Sequence, residues 1–419
     1  MHRWLIVAAV AAAGVCAAQS EPSHPGIAPE VLRIARIKVR ARENLEQLPN
    51  YTCTETIERS RRGAKSRRFR LTDTLRLEVA LVGGKELYAW PGANKFDDRE
   101  LRDMVGGTIG NGSFALHARS VFLSNVPTYK YIGEVEEFGR KLYRYSYYVP
   151  VNRSGYQLLN RSGYQLRVGD VSGVAGYHGE FDVDSQSLDL VRLEVIAHDI
   201  PPHVTLAAAR DEMRYQRVAI GESDFLLPHS SELSLTGLDG EESRNRTSFA
   251  NCHQYSGEST ISFDDPPPTA SAAPPGPVAE VELPEGLILE TRLVEPLSLQ
   301  TIAIGDIVEV EVTSNAKKAK ATIVPRGARA HGRVLAYRRE YNRSEMHILR
   351  LRLEEIEFPG ARAEILAIPV GARIPQGNST AVDKTGIIYL RGQRQSLMKG
   401  TPLIWRIEAK QPDTGRNTQ

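Results

Sequence analysis

The residues whose spacing could support covalent chemistry are few. Ser314-Asn315-Ala316-Lys317 has the S-x-x-K spacing, and Lys384-Thr385-Gly386 forms a K-T-G run. Together such runs can mark a serine acyl enzyme. That chemistry needs the serine at the start of a helix in a large α/β domain, with a third motif between. Both runs here fall in a short β-rich region, so the match is rejected. No G-x-S-x-G, H-E-x-x-H or G-x-x-x-x-G-K-[ST] run occurs. His178, Glu180, Asp182 and Asp184 alternate along one expected strand and so share a face. Imidazole and carboxylates at that spacing can converge on a metal. The opposite face carries Tyr177, Phe181 and Val183. The expected reading is therefore the solvated polar side of a half-buried strand. His198 and His203 flank Pro201-Pro202 without ligand spacing. No catalytic residue, metal or cofactor is expected, and the chain reads as non-enzymatic.

Two segments could meet anions. Arg59 to Arg70 carries seven basic residues and no acid. It is expected to cap the hairpin between the first two strands. There Arg61, Arg62, Lys65, Arg67 and Arg68 either stay solvated or touch anionic lipid headgroups or an acidic partner. Gly106 to Gly112 precedes an expected helix, so its amides could hold an anion. Its spacing is not that of a phosphate loop, and a flap or a plain connector fits it better.

The N-terminus points to export. Arg3 precedes an apolar run from Trp4 to Val15, followed by Cys16, Ala17 and Ala18. This is the pattern of a secretory signal peptide over residues 1–18, too short for a stable bilayer span. Cleavage after Ala17 or Ala18 fits better than lipidation at Cys16, because Val15 stands where lipoprotein signals place a small residue. A periplasmic or secreted location follows, with no transmembrane segment in the mature chain and no nucleic-acid partner. The 419 residues leave room for two or three domains, and the balance of 53 Lys+Arg against 51 Asp+Glu selects no partner. Of three cysteines, Cys53 and Cys252 survive cleavage. In an oxidising compartment they are expected to form one bridge, worth roughly 4 kcal/mol in the chain-entropy model. They lack C-x-x-C spacing, and two buried thiols are the alternative.

The elements that would position these groups are mainly strands. Glu30 to Gln47 reads as a helix with Val31, Ile34, Ala41 and Leu45 on one face. From Tyr51 the period becomes two. Leu75, Leu77, Val79 and Leu81 alternate with Thr74, Arg76, Glu78 and Ala80. Asp97–Val105 and Ser113–Ser124 look helical. Strands resume at Tyr131–Glu136 and Leu142–Val149, where Tyr143, Tyr145 and Tyr147 share a face. Further strands are expected at Tyr177–Asp184, Leu188–Ala197, Arg214–Ile220, Ser231–Leu238, Arg244–Phe249 and Ser259–Phe263. The run Asn152–Leu158 is repeated at Asn160–Leu166, which reads as a tandem duplication in a surface loop. Residues 264–280 form a proline-rich linker. Residues 281–409 then read as a small β-barrel or sandwich, with Leu349, Leu351 and Leu353 pointing inward, and 410–419 as a polar tail.

The order of helix, Tyr51-Thr52-Cys53 strand, helical insertion and the Gly179–Asp184 and Leu190–Leu193 hairpin resembles the lipoprotein-carrier fold of the bacterial envelope over residues 30–263. That resemblance implies a curled antiparallel sheet, a half-barrel with helices on its concave side, and a groove for an acyl chain or other apolar guest. Leu283–Leu293, Ile304-Gly305-Asp306, Ile323–Ala328 and Gly332-Arg333-Val334 resemble the small barrel of conjugation-type secretion scaffolds. This implies a docking module for an envelope protein partner. Together the two units resemble exported envelope proteins of soil bacteria. The fold class expected is mainly β, with an α+β N-terminal domain and a small C-terminal barrel or sandwich. The function expected is binding of an apolar ligand or envelope partner on the concave face. The alternatives are a scaffold whose concave face is filled by its own helices, or an unrecognised hydrolase. Peptide mapping without reduction is expected to recover Cys53 and Cys252 as one linked pair. Recovery of both as alkylated thiols would remove the bridge.

Overall fold

The computed structural model describes residues 27–83, 85–93, 96, 101, 110, 113–154, 164–168, 171–254, 279–342, 344–372, 380–392 and 396–409. The signal segment 1–18 with Cys16, the expected helix 97–105 except Leu101, and the glycine run 106–112 except Gly110 lie outside the described residues. The middle of the duplication, the strand 259–263, the linker 264–278 and the tail 410–419 lie outside the described residues.

Eleven strands form the first sheet. They are β1 (Tyr51–Arg62), β2 (Arg70–Val82), β3 (Lys85–Ala89), β4 (Thr128–Glu137), β5 (Arg140–Val149), β6 (Tyr164–Val168), β7 (Val171–Asp184), β8 (Leu190–His198), β9 (Leu206–Ile220), β10 (Ser223–Gly237) and β11 (Glu242–Gln254). Their order is β3-β2-β1-β11-β10-β9-β8-β7-β5-β4, with β6 hydrogen-bonded to β7, and all these pairings are antiparallel. β1, near the N-terminus, lies beside β11, about two hundred residues later in the chain. The Cys53–Cys252 disulfide, with an S–S distance of 2.00 Å, staples that non-local seam. Strands β9, β10 and β11 run longer than their alternation suggested. Tyr164 to Leu166 of the second duplicated copy belong to β6 instead of a surface loop.

Helix α1 (Pro29–Glu46) and the short helix α2 (Leu116–Phe122) cover one face of the curled sheet. Ile37, Ala41, Val121 and Phe122 are buried against Tyr145, Tyr147, Phe181, Leu193 and Met213. Val31 is not part of this face and is 53% exposed. At that first turn the sheet is met by Arg33, whose guanidinium lies 3.9 Å from the Tyr143 ring centroid and 5.0 Å from that of Tyr131. The inward row is instead Ile34, Ile37, Ala41 and Leu45.

The second sheet closes into a six-stranded barrel of Ile288–Leu293, Ile307–Val312, Arg329–Asn342, Ser344–Phe358, Ala361–Ala372 and Pro402–Ile407. Barrel, not sandwich, is therefore the architecture. Leu349, Leu351 and Leu353 point inward as alternation requires, and Trp405 is fully buried with its indole N–H donated to Thr291 Oγ1 at 2.9 Å. Ala279 and Glu280, expected to end the linker, pair in parallel with Ala361 and Arg362.

The two sheets are also docked. The Ile304 N–H donates to the Thr74 carbonyl at 2.7 Å, and the Arg76 N–H donates to the Ile304 carbonyl at 2.8 Å. Arg76 pairs with Asp306, and Ile304 packs against the core of the larger sheet. Gly305 adopts φ +102°, and a Cβ there would lie 2.3 Å from the Arg76 carbonyl oxygen. A side chain is excluded by conformation and by space alike. Gly305→Ala is expected to weaken this docking by about 1–3 kcal/mol. Small-angle scattering should then show a larger radius of gyration. An unchanged radius would mean that the contact does not hold the sheets together.

Candidate functional site

The inner face of β1 is built by strict alternation. Tyr51, Cys53, Glu55 and Ile57 point the same way and are 0%, 1%, 5% and 1% exposed, respectively. Three of these four suit a core, whereas the carboxyl of Glu55 does not. β3 brings Glu86 and Tyr88 alongside, and the Tyr88 hydroxyl donates to Glu86 Oε2 at 2.9 Å. Glu86 Oε1 accepts from the N–H groups of Ala115 at 2.8 Å and Leu116 at 3.3 Å. The first turn of α2 has no capping side chain of its own, and a carboxylate from a distant strand fills that role. β9 places Asp211, 1% exposed, on the same inner face. Ser113 Oγ donates to Asp211 Oδ2 at 2.6 Å, and His117 Nε2 lies 3.4 Å from that oxygen.

Around these groups are Ile57, Leu75, Leu77, Val79, Leu227 and Phe249. In this apolar setting burial, followed by the negative charge of Glu86, pushes the Glu55 carboxyl up to about 8. Burial first and Glu86 next also raise the hydroxyls of Tyr51 and Tyr88 well above the usual tyrosine range. Tyr215 is raised by burial and then by Asp211 and Glu86. These shared influences place the groups in one electrostatic cluster. Four of its buried atoms have no hydrogen-bond partner among the described residues: the hydroxyls of Tyr51 and Tyr215, Glu55 Oε2 and Asp211 Oδ1. Interior polar atoms are ordinarily paired, so these four stand out within the apolar inner face. The Ser113 hydroxyl donates to a carboxylate and not to an imidazole, so it is not an activated nucleophile.

The residues singled out from sequence lie elsewhere. His178, Glu180, Asp182 and Asp184 do share the outer face, but Asp182 is fully buried, which corrects the solvated reading. Arg144 donates to both of its carboxylate oxygens at 2.7 and 2.8 Å, and Arg192 Nε donates at 2.9 Å. Burial opposes its ionisation, yet the hydrogen bonds from Arg144 and Arg192 hold the carboxyl below its usual range. The long arginines reach across neighbouring strands and cover it. Among the described residues no three His, Cys, Asp or Glu side chains form a metal-holding group. His178 Nδ1 lies 3.2 Å from His198 Nδ1, while His203 Nε2 contacts the Ser172 carbonyl at 3.1 Å. Ser314 donates to Glu290 at 2.9 Å, and Thr385 closes a local turn on Asp383. Ser314 and Thr385 are thus engaged in separate surface contacts. Glu55 and Asp211 escaped notice in the sequence. The available signal was a carboxylate in the inward phase of an otherwise apolar strand, as in Tyr51/Cys53/Glu55/Ile57 and Ala209/Asp211/Met213/Tyr215.

No family model matches the chain, and no curated protein matches it. Among solved structures, the chain is similar to a LolA-superfamily protein from Nitrosomonas europaea at 9% identity and a TM-score of 0.27, over 53% of this chain and 93% of that one. A DUF1329-family protein from Desulfovibrio piger aligns at 10% identity and a TM-score of 0.29, over 55% of this chain and 95% of that one. At these values the likeness carries no argument about ligand or activity.

Because the Glu55 carboxyl is raised from 4.5 to about 8, the native state holds its proton more tightly than the unfolded chain. Its contribution to stability is complete below the unfolded value, declines as pH rises, and is lost once pH passes the folded value. Glu55→Gln is expected to match the parent near pH 4 and to exceed its stability by roughly 5 kcal/mol near pH 9. Urea unfolding across that range checks this. Parallel curves at all pH values would mean that Glu55 is not a buried, proton-holding group.

Proposed function

We propose that this chain is an exported, non-enzymatic cell-envelope protein. Its larger sheet binds an apolar guest that bears a polar end, a lipid or acyl compound, on the inner face. The observation that carries the reading is a set of four buried polar atoms, at Tyr51, Glu55, Asp211 and Tyr215, that have no partner among the described residues and are walled by aliphatic and aromatic side chains. A wall of that kind suits a hydrocarbon chain, and isolated polar groups within it orient the guest's polar end. Below about pH 8 Glu55 is protonated and can donate as well as accept. Export is supported by the N-terminal signal pattern and by the disulfide. Among the described residues no helix is long and apolar enough to cross a membrane. The barrel, whose interior is packed with its own side chains, is assigned to docking on an envelope protein partner.

A second reading is favoured by the other half of the same face. There α1 and α2 already fill the concavity against β5, β7, β8 and β9, as a guest-free scaffold would require. Native mass spectrometry of protein purified from its host envelope separates the two. Binding predicts a mass above that of the chain, released on activation and identified as lipid after extraction. A bare chain mass with co-purifying envelope proteins would replace carriage with scaffolding.

A further inference from the structure

We propose that the β1–β2 hairpin tip, with the β10–β11 turn beside it, is a docking surface for an anionic lipid bilayer. The base of the hairpin is internally neutralised. Arg59 donates through Nε and Nη2 to the two Asp73 oxygens at 2.6 and 2.7 Å, and Arg62 pairs with Glu242. Phe69 sits between two guanidinium groups, with Arg244 at 4.0 Å and Arg62 at 4.9 Å from its ring centroid. These contacts engage the arginines nearest the sheet and stiffen the hairpin.

What projects beyond them is different. Arg61, Lys65, Arg67, Arg68 and Arg70 are exposed, and none has an acidic partner among the described residues. Leu71 is 61% exposed at the start of β2, and Leu238 is 66% exposed in the β10–β11 turn. The two tips touch, since a Cβ on Gly240 would lie 3.0 Å from Ala64 Cβ. The five exposed cations outnumber the exposed Asp239 and Glu241 of the β10–β11 turn, and with the exposed leucines they match the headgroup region of a bilayer. The cations meet lipid phosphates while the leucines enter the acyl boundary. A single-stranded nucleic acid would call for an open aromatic platform, and the one aromatic of the segment, Phe69, is already held between guanidiniums. The proposal rests on the outer tips and is independent of what the inner face binds.

Cosedimentation with vesicles tests it, using phosphatidylcholine alone and phosphatidylcholine containing about one-third phosphatidylglycerol. The full chain is expected to pellet with the anionic vesicles only and to be released as salt is raised. Combined R61Q, K65Q, R67Q, R68Q and R70Q substitutions should weaken that binding at least about tenfold. Leu71→Ser with Leu238→Ser should weaken it further than salt screening explains. Equal pelleting with neutral vesicles, binding by the five-glutamine variant equal to the parent's, or retention on heparin without vesicle binding would each overturn the proposal. Unchanged vesicle affinity in the double-serine variant would overturn insertion of the leucines. The salt titration of the parent chain does not depend on any variant folding.

Discussion

Eleven hydrogen-bonded strands satisfy their own backbone, but they leave a broad side-chain face that has to be kept from water. Pairing of β1 with β11 makes that face continuous, and the disulfide at Cys53 and Cys252 closes the seam between segments far apart in the chain. Helices α1 and α2 cover part of the face with Ile37, Ala41, Val121 and Phe122. The remaining part mixes Leu75, Leu77, Val79 and Phe249 with Glu55, Glu86 and Asp211. The same enclosure that buries the aliphatic groups withdraws water from the carboxyls. That coupling gives the inner face both its apolar character and its held proton.

The outer face meets a different demand. Strands β5, β7, β8 and β9 present arginines and acids in register, and these pair across strands instead of extending singly into solvent. Asp182 lies at the centre, fully buried and ionised between Arg144 and Arg192. Farther along, Arg210 bridges Glu194 and Glu212. Removing one member would leave a buried charge unpaired, so the value of these contacts lies in their completeness. The inner and outer faces of one sheet thus place carboxyls in opposite states. Burial and the Glu86 carboxylate act on Glu55, which keeps its proton, while Asp182 has two guanidiniums and loses it.

The barrel meets the larger unit around residues 304–306. Ile304 enters the neighbouring core, Gly305 permits the close backbone approach, and Asp306 meets Arg76. Arg333 lies 5.8 Å from the Trp90 ring centroid at the same junction. A tether alone would leave the two units to move independently, whereas these contacts give them a specific mutual register.

Much of this was legible locally. The period-two runs located most strands, and the basic Arg59–Arg70 segment fell at the expected hairpin tip, because alternation and turn composition act over a few residues. Alternation also assigned the faces of Leu349, Leu351 and Leu353 correctly. It could not distinguish an acid facing water from one facing a neighbouring strand, so Asp182 looked solvated and Glu55 drew no attention. Nor could helical spacing anticipate that Arg33 would lie over Tyr131 and Tyr143 where an aliphatic residue was expected. The sequence by itself determined a mainly β chain with cysteines placed for one bridge. Only the tertiary structure decided which carboxyls are buried together and that the units dock. Solvation, charge pairing and backbone approach arise from segments brought together by folding, and the spacing of residues along one segment does not contain them.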